Sequence, residues 1–139
     1  MREEVEEAIV KTVIHFYPSV QGIYLFGSFQ TENEWKDSDV DIALLLPHVL
    51  AKEERHLGMS ECRIKLEEGL GKNVDLVNVR QVSTVFQFQI VTTGRLIYVS
   101  DENAVAEFEM LTFSFYQKLN EERQDILADF YKTGKAYKI

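Results

Sequence analysis

Tyr24-Leu25-Phe26-Gly27-Ser28, then ten residues, then Asp39-Val40-Asp41-Ile42-Ala43-Leu44-Leu45-Leu46, is the stretch on which the fold turns. A short apolar run stops at a Gly-Ser turn, and a second opens with two carboxylates one residue apart. Side chains two apart on a strand share a face, so Asp39 and Asp41 point one way while Val40 and Ile42 point into packing. Their Cα atoms stand roughly 6.5 Å apart on such a strand, close enough for two carboxylates to converge on one or two divalent cations. Gly27 allows close approach of backbone to a ligand, and Ser28 offers an N–H and a hydroxyl to phosphate oxygens. These features read as a site for a metal-bound nucleoside triphosphate.

Working outward, Ile23 to Phe26 reads as a first strand and Val40 to Leu46 as a second, closed by Pro47. The polar residues 29–38 between them read as a loop. Before them, Val5, Ala8, Ile9, Thr12, Val13 and Phe16 recur at spacings of three and four, the stripe of an amphipathic helix ending at Pro18. After them, residues 50–70 are charged and rich in helix formers, with Gly69 and Gly71 as the stop. Asn73-Val74-Asp75-Leu76-Val77-Asn78-Val79 alternates like a half-buried third strand. Val82, Val85, Phe86, Gln89 and Ile90 suggest a helix ending before Gly94, and Arg95 to Val99 a fourth strand. Ser100 looks like the N-cap of a final aromatic-rich helix reaching about residue 132. The pattern is α/β (α+β), a small mixed sheet of about four strands flanked by helices, with a C-terminal helical segment.

The chain has 139 residues, which is expected to form a single domain over 1–139, with a core in 1–100 and a helical extension over 101–139. Net charge is −8, which argues against a long nucleic-acid substrate, since phosphate backbones call for a basic footprint. A small triphosphate screened by metal, or a basic protein partner, suits it better. Cys62 is the single cysteine, so no internal disulfide forms. The acidic start lacks the character of a signal peptide and no apolar run approaches membrane-spanning length, so a cytoplasmic location is expected.

Asp75 repeats the oddity of Asp39 and Asp41, a carboxylate set between Val74 and Leu76 although strand aspartates are disfavoured. Three such carboxylates on one sheet face repel one another unless cations lie between them. Nucleotidyl transfer asks for that arrangement, because two metals about 3.5–4 Å apart stabilise the attacking and leaving oxygens of an in-line displacement. Asp39 and Asp41 are the candidate bridging ligands. Asp75 is the candidate for the metal beside the nucleophile and for help with its proton. Hard oxygen donors favour Mg²⁺ or Mn²⁺. Lys36, Arg63 and Lys65 are weaker phosphate candidates and Trp35 a weaker stacking candidate; solvated surface or loop roles suit them better.

The combination of Gly27-Ser28, ten residues, Asp39-x-Asp41 and a third carboxylate at Asp75 resembles the DNA polymerase β-like nucleotidyltransferase superfamily. The resemblance covers residues 1 to about 100. The small size is similar to its minimal nucleotidyltransferase (MNT) branch. Leu25-Phe26-Gly27-Ser28, Ser38-Asp39-Val40-Asp41-Ile42-Ala43 and the helical continuation resemble the MNT antitoxins paired with HEPN-domain ribonuclease toxins. The resemblance implies a polymerase β-like fold, ATP as substrate, Mg²⁺ as cofactor and transfer of AMP to a tyrosine hydroxyl of a HEPN toxin. It assigns Asp39, Asp41 and Asp75 to catalysis and metal, and Gly27 and Ser28 to the nucleotide. The Arg and His signature of a HEPN nuclease is absent, which makes this chain the antitoxin partner. Two other readings stand beside this one: an antitoxin that acts by binding alone, and a small-molecule nucleotidyltransferase of aminoglycoside type.

The final helix carries a further expectation. Val105, Phe108, Thr112, Phe115 and Leu119 form a stripe suited to packing on the sheet. Met110 and Phe113 then lie near the opposite face, where contact with another chain is expected, or else with the tail around Phe130 and Tyr131.

Overall fold

The computed structural model describes residues 2–27 and 39–133. Ser28, Trp35, Lys36 and the expected loop 29–38 lie outside the described residues. The elements run α1 (Arg2–Phe16), β1 (Gly22–Phe26), β2 (Val40–Leu45), α2 (His48–Glu53), a 3-10 turn (Leu57–Met59), α3 (Glu61–Leu70), β3 (Val74–Asn78), α4 (Thr84–Thr93), β4 (Arg95–Val99) and α5 (Glu102–Thr133). The four strands form one sheet in the order β3-β2-β1-β4. β1 pairs antiparallel with β2 and β4, whereas β2 and β3 run parallel. The expected mixed sheet flanked by helices is therefore present.

Alternation along the strands divides the core in two. Ile23, Leu25, Val40, Ile42, Leu44, Val74 and Leu76 face one way and pack with Ile9 and Val13 of α1 and Cys62 and Leu66 of α3. Tyr24, Phe26, Ala43 and Leu45 face the other way, against Ile90 of α4 and Val105 and Phe108 of α5. Both middle strands are thus covered on both faces, which explains their nearly continuous apolar sequence.

Several local expectations shift. The helical segment over 50–70 is broken: α2 ends at Glu53, Gly58 lies in the 3-10 turn, and Ser60 caps α3 by accepting from the Arg63 N–H. Gly71, at φ 66°, ends α3, whereas Gly69 lies inside it. The α1 stripe turns slightly, leaving Ala8 exposed and bringing Val10 and Ile14 against the core. In α4, Phe86 and Ile90 pack while Gln89 is exposed.

At the start of α5 it is Asp101, not Ser100, that caps, its carboxylate accepting from the Ala104 N–H at 3.0 Å. Ser100 instead donates its hydroxyl to the Val20 carbonyl at 2.6 Å. The buried stripe of α5 comprises Val105, Phe108 and Thr112 and then passes to half-buried Tyr116 and Leu119. Phe115, expected on it, is 54% exposed.

A buried hydrogen bond fastens α5 to the sheet. Tyr24, almost wholly buried, donates its hydroxyl to Glu109 Oε2 at 2.7 Å. Burial, followed by the Glu109 carboxylate, pushes the phenol pKa upward. Among the described residues no helix is long and apolar enough to cross a membrane.

Gly94 links α4 to β4 where there is no room for a side chain. A Cβ there would meet the Ile90 carbonyl oxygen at 2.3 Å and that of Leu25 at 3.0 Å. Gly94→Ala is expected to lower stability by about 1–3 kcal/mol. Gly69→Ala, with nothing within 4 Å, is expected to raise it by about 0.5–1 kcal/mol. Urea melts of both variants check the contrast.

Candidate functional site

The site begins with the register of the two parallel strands. Asp41 of β2 stands opposite Asp75 of β3, with Val40 opposite Val74 and Ile42 opposite Leu76. Neighbouring strands lie about 4.8 Å apart, so the pairing brings the second and third expected carboxylates alongside each other. Val40, Ile42, Val74 and Leu76 are buried on the α1/α3 side, which leaves Asp41 and Asp75 on the α4/α5 side. Asp39 precedes β2 by one residue and is exposed. The Val40 N–H donates to the Asn73 carbonyl at 2.9 Å, extending the ladder to the first residues of both strands.

The three carboxylates feel one another. Asp41 is half-buried, and its pKa is pushed up to about 6, first by burial, then by the Asp75 charge and then by that of Asp39. Asp75 is exposed between two buried neighbours. Among the described residues, no three His, Cys, Asp or Glu side chains stand as a ligand set for one ion. The carboxylates share a face and a field without meeting at a point.

Gly27 completes the described part of the site. Its φ is +76°, and a Cβ built there would lie 2.1 Å from Asp41 Oδ2. Glycine is required here for backbone conformation and for space: the Asp41 carboxylate occupies the volume that any side chain would fill. Phe26 faces Asp41 across the β1–β2 pair and meets the Phe86 ring edge-on at 5.6 Å, a small aromatic wall beside the carboxylates. The sequence reading placed Phe86 on a helix but did not give it this position.

The donor chemistry suits a hard divalent cation. Three carboxylates on one sheet face, with no thiolate or imidazole among them, match the oxygen preference of Mg²⁺ or Mn²⁺.

Two weaker phosphate candidates are otherwise engaged. Arg63 pairs with Glu67 at 2.9 Å, and Lys65 with Glu68 at 3.4 Å. Glu67 also accepts from the Val74 N–H at 2.9 Å, so the Arg63 pair steadies the entry of β3. A cavity of about 760 Å³ lies elsewhere, lined by Val10 and Ile14 of α1 and Ile97 and Tyr98 of β4, away from the three aspartates. The residue least visible in the sequence was Glu109, and its signal was an acidic side chain set among the packed positions of α5.

Comparison with known proteins decides the family. The family model for polymerase beta nucleotidyltransferases matches residues 7–103, which include β1, β2, β3 and all three aspartates. The chain belongs to the polymerase beta nucleotidyltransferase family. Within this nucleotidyltransferase family, it is 36% identical over 129 residues to the protein adenylyltransferase MntA of Shewanella oneidensis, spanning 93% of this chain and 89% of MntA. A crystal structure of a toxin–antitoxin with AMP-PNP contains a chain that superposes with a TM-score of 0.69 at 35% identity, covering 91% of this chain and 98% of that one. A re-refined structure of tri-AMPylated Shewanella oneidensis HEPN toxin in complex with MNT antitoxin gives 0.68 at 34% identity, over 94% and 99% of the two chains. The resemblance read from Gly27, Asp39, Asp41 and Asp75 is thereby borne out, and the nucleotidyltransferase fold with it.

The raised Asp41 pKa has a definite sign. Its folded value, about 6, exceeds the ordinary 3.8, so the folded state holds the proton more tightly and stability falls as pH rises between those values. In metal-free protein, the melting temperature of Asp41→Asn relative to wild type is expected to climb by a few degrees from pH 4 to pH 7. Calorimetry in chelator at both pH values measures it; a difference that does not grow with pH contradicts the half-buried placement of Asp41 beside Asp75 and Asp39.

Proposed function

We propose that this chain is an antitoxin adenylyltransferase that transfers AMP from ATP to a tyrosine hydroxyl of a HEPN-domain toxin and so silences it. The observation that carries the reading is the register of Asp41 opposite Asp75 on the face that also carries Asp39, beside Gly27. The relationship to MntA and to antitoxins solved with AMP-PNP and with an AMPylated toxin supports it. The setting is cytoplasmic.

In this reading the triphosphate lies over Gly27 and Ser28, whose backbone N–H groups and hydroxyl are the donors offered to its phosphate oxygens. Asp39, Asp41 and Asp75 would be the residues that hold Mg²⁺. Mg²⁺ held there would neutralise phosphate charge and favour the ionised acceptor hydroxyl. In this reading Asp75, exposed near the start of β3, takes the phenolic proton. The tyrosine oxygen bonds to the α-phosphorus, the α–β anhydride bond breaks, and its electron pair leaves with pyrophosphate. Half-burial of Asp41 serves this chemistry, because a carboxylate partly removed from water interacts more strongly with a cation.

Proton competition follows from the Asp41 value. Metal binding is expected to weaken as pH falls through about 6, since the protonated carboxyl is a poor ligand.

Asp39→Asn, Asp41→Asn and Asp75→Asn are each expected to reduce AMP transfer at least 100-fold while the fold survives. The measurement is intact-protein mass spectrometry of the toxin after incubation with Mg·ATP, with circular dichroism as the control. Transfer at the wild-type rate in any of the three removes that residue from the site. Full neutralisation of the toxin by the triple variant assigns the protein to inhibition by binding instead.

A further inference from the structure

We infer that the toxin's acceptor tyrosine reaches the carboxylates from the free edge of β3, with its ring in a small cavity there and its main chain beside Leu76. This inference rests on the adenylyltransferase reading above and names the surface on which the acceptor lies.

Strand order sets the direction of approach. Gly27 follows β1, Asp39 and Asp41 stand at the start of β2, and Asp75 stands near the start of β3. In the order β3-β2-β1-β4, the phosphate cradle, the paired carboxylates and the proton acceptor therefore follow one another across the sheet. In-line transfer puts the attacking and leaving oxygens on opposite sides of the phosphorus. With the triphosphate over Gly27, pyrophosphate departs on the β1 side and the acceptor enters on the β3 side. β3 is an edge strand, so no further strand of the sheet stands in the way among the described residues.

That edge is open at one place. The Val40 N–H donates to the Asn73 carbonyl and the Val79 N–H to the Leu44 carbonyl, so the odd-numbered residues of β3 turn their backbone groups to β2. The even-numbered ones turn outward, and the Val74 N–H is taken there by Glu67. Two residues on, the N–H and carbonyl of Leu76 have no partner among the described residues. An extended peptide uses such groups when it lies along a sheet edge. Gly58, in the 3-10 turn that packs beside β3, leaves room for it: among the described residues, a Cβ built there would meet only the Leu76 carbonyl oxygen, at 3.9 Å.

A cavity of about 300 Å³ opens at this edge, with Arg55, Leu57, Gly58, Val77, Gln81 and Val82 in its lining. Val77 follows Asp75 by two residues, so both side chains leave the same face of the sheet, with Cα atoms roughly 6.6 Å apart. The cavity thus begins one strand repeat from the carboxylate that takes the proton. Its volume is at the small end for ligand pockets, which suits one aromatic side chain better than a nucleotide. Buried Leu57 and half-buried Val77 and Val82 give an apolar wall for a ring. A phenol is apolar at one end and polar at the other, so a ring held against the valines directs its hydroxyl towards Asp75. Arg55 is exposed and has no ion pair among the described residues. In a chain of net charge −8, it offers a cation to an acidic residue beside the acceptor tyrosine.

The test uses the full chain and its cognate HEPN toxin, with initial rates of AMP transfer by intact-protein mass spectrometry giving separate KM values for toxin and for ATP. Gly58→Leu, which fills the cavity, and Arg55→Glu are each expected to raise the toxin KM at least tenfold. The ATP KM, the melting temperature and the thermal shift by Mg·ATP are expected to stay at wild-type values. Arg55→Lys keeps the cation and is expected to keep most of the toxin affinity. If Gly58→Leu lowers the melting temperature, Arg55→Glu decides alone. A toxin KM within twofold of wild type in Arg55→Glu overturns the inference and leaves the transfer reading standing. So does a rise in the ATP KM with the toxin KM unchanged, which would put the nucleotide in the cavity instead. Wild-type protein that transfers no AMP to the toxin sinks the catalytic reading and this inference with it.

Discussion

The parallel pairing of β2 with β3 in one register is the constraint on which the site depends. A slip of one residue would turn Asp41 or Asp75 into the core and an aliphatic side chain out into water. What prevents it is burial of Val40, Ile42, Val74 and Leu76 beneath α1 and α3. Each such side chain contributes about 1.5–3 kcal/mol on leaving water. Repulsion between solvated carboxylates is about 1 kcal/mol per pair at 4 Å, so the apolar positions win. The like charges are held together by their neighbours, and Asp41 binds its proton more tightly, first through burial and then through the charges of Asp75 and Asp39.

The two faces of the sheet therefore have different tasks. The α1/α3 side is a dry aliphatic core that sets register, with Glu67 satisfying the Val74 N–H on the outer edge of β3. The α4/α5 side is more aromatic and meets the carboxylates: Phe26 and Phe86 stand beside Asp41, and Tyr24 anchors α5 through Glu109. Covering helices thus reach the chemistry without supplying a carboxylate to it. Gly27 sits at the junction, where Asp41 occupies the space a side chain would need.

α5 extends this division of labour beyond the sheet. Its inward stripe follows a single rhythm from Val105 to Ile126, yet only the first half finds the sheet beneath it. Nothing in local propensity distinguishes the halves, because the difference is made by where the sheet stops.

Much was legible in the sequence because the signals were local. The apolar runs broken by Asp39, Asp41 and Asp75, the glycine at 27 and the period of the helices each reside in a few neighbouring residues, and the family resemblance rests on the same ones. The break between α2 and α3 was hidden because a stretch of helix formers can be interrupted by tertiary contacts such as those of buried Leu57. Asp101 took the cap from Ser100 because Ser100 was drawn away by the Val20 carbonyl, 80 residues distant in sequence. Periodicity could say that Asp39 and Asp41 share a face. That Asp75 joins them, that Phe86 walls them and that Phe115 leaves the packed stripe were settled only by strand order and helix placement, since contacts between remote segments leave no trace in the spacing of residues along the chain.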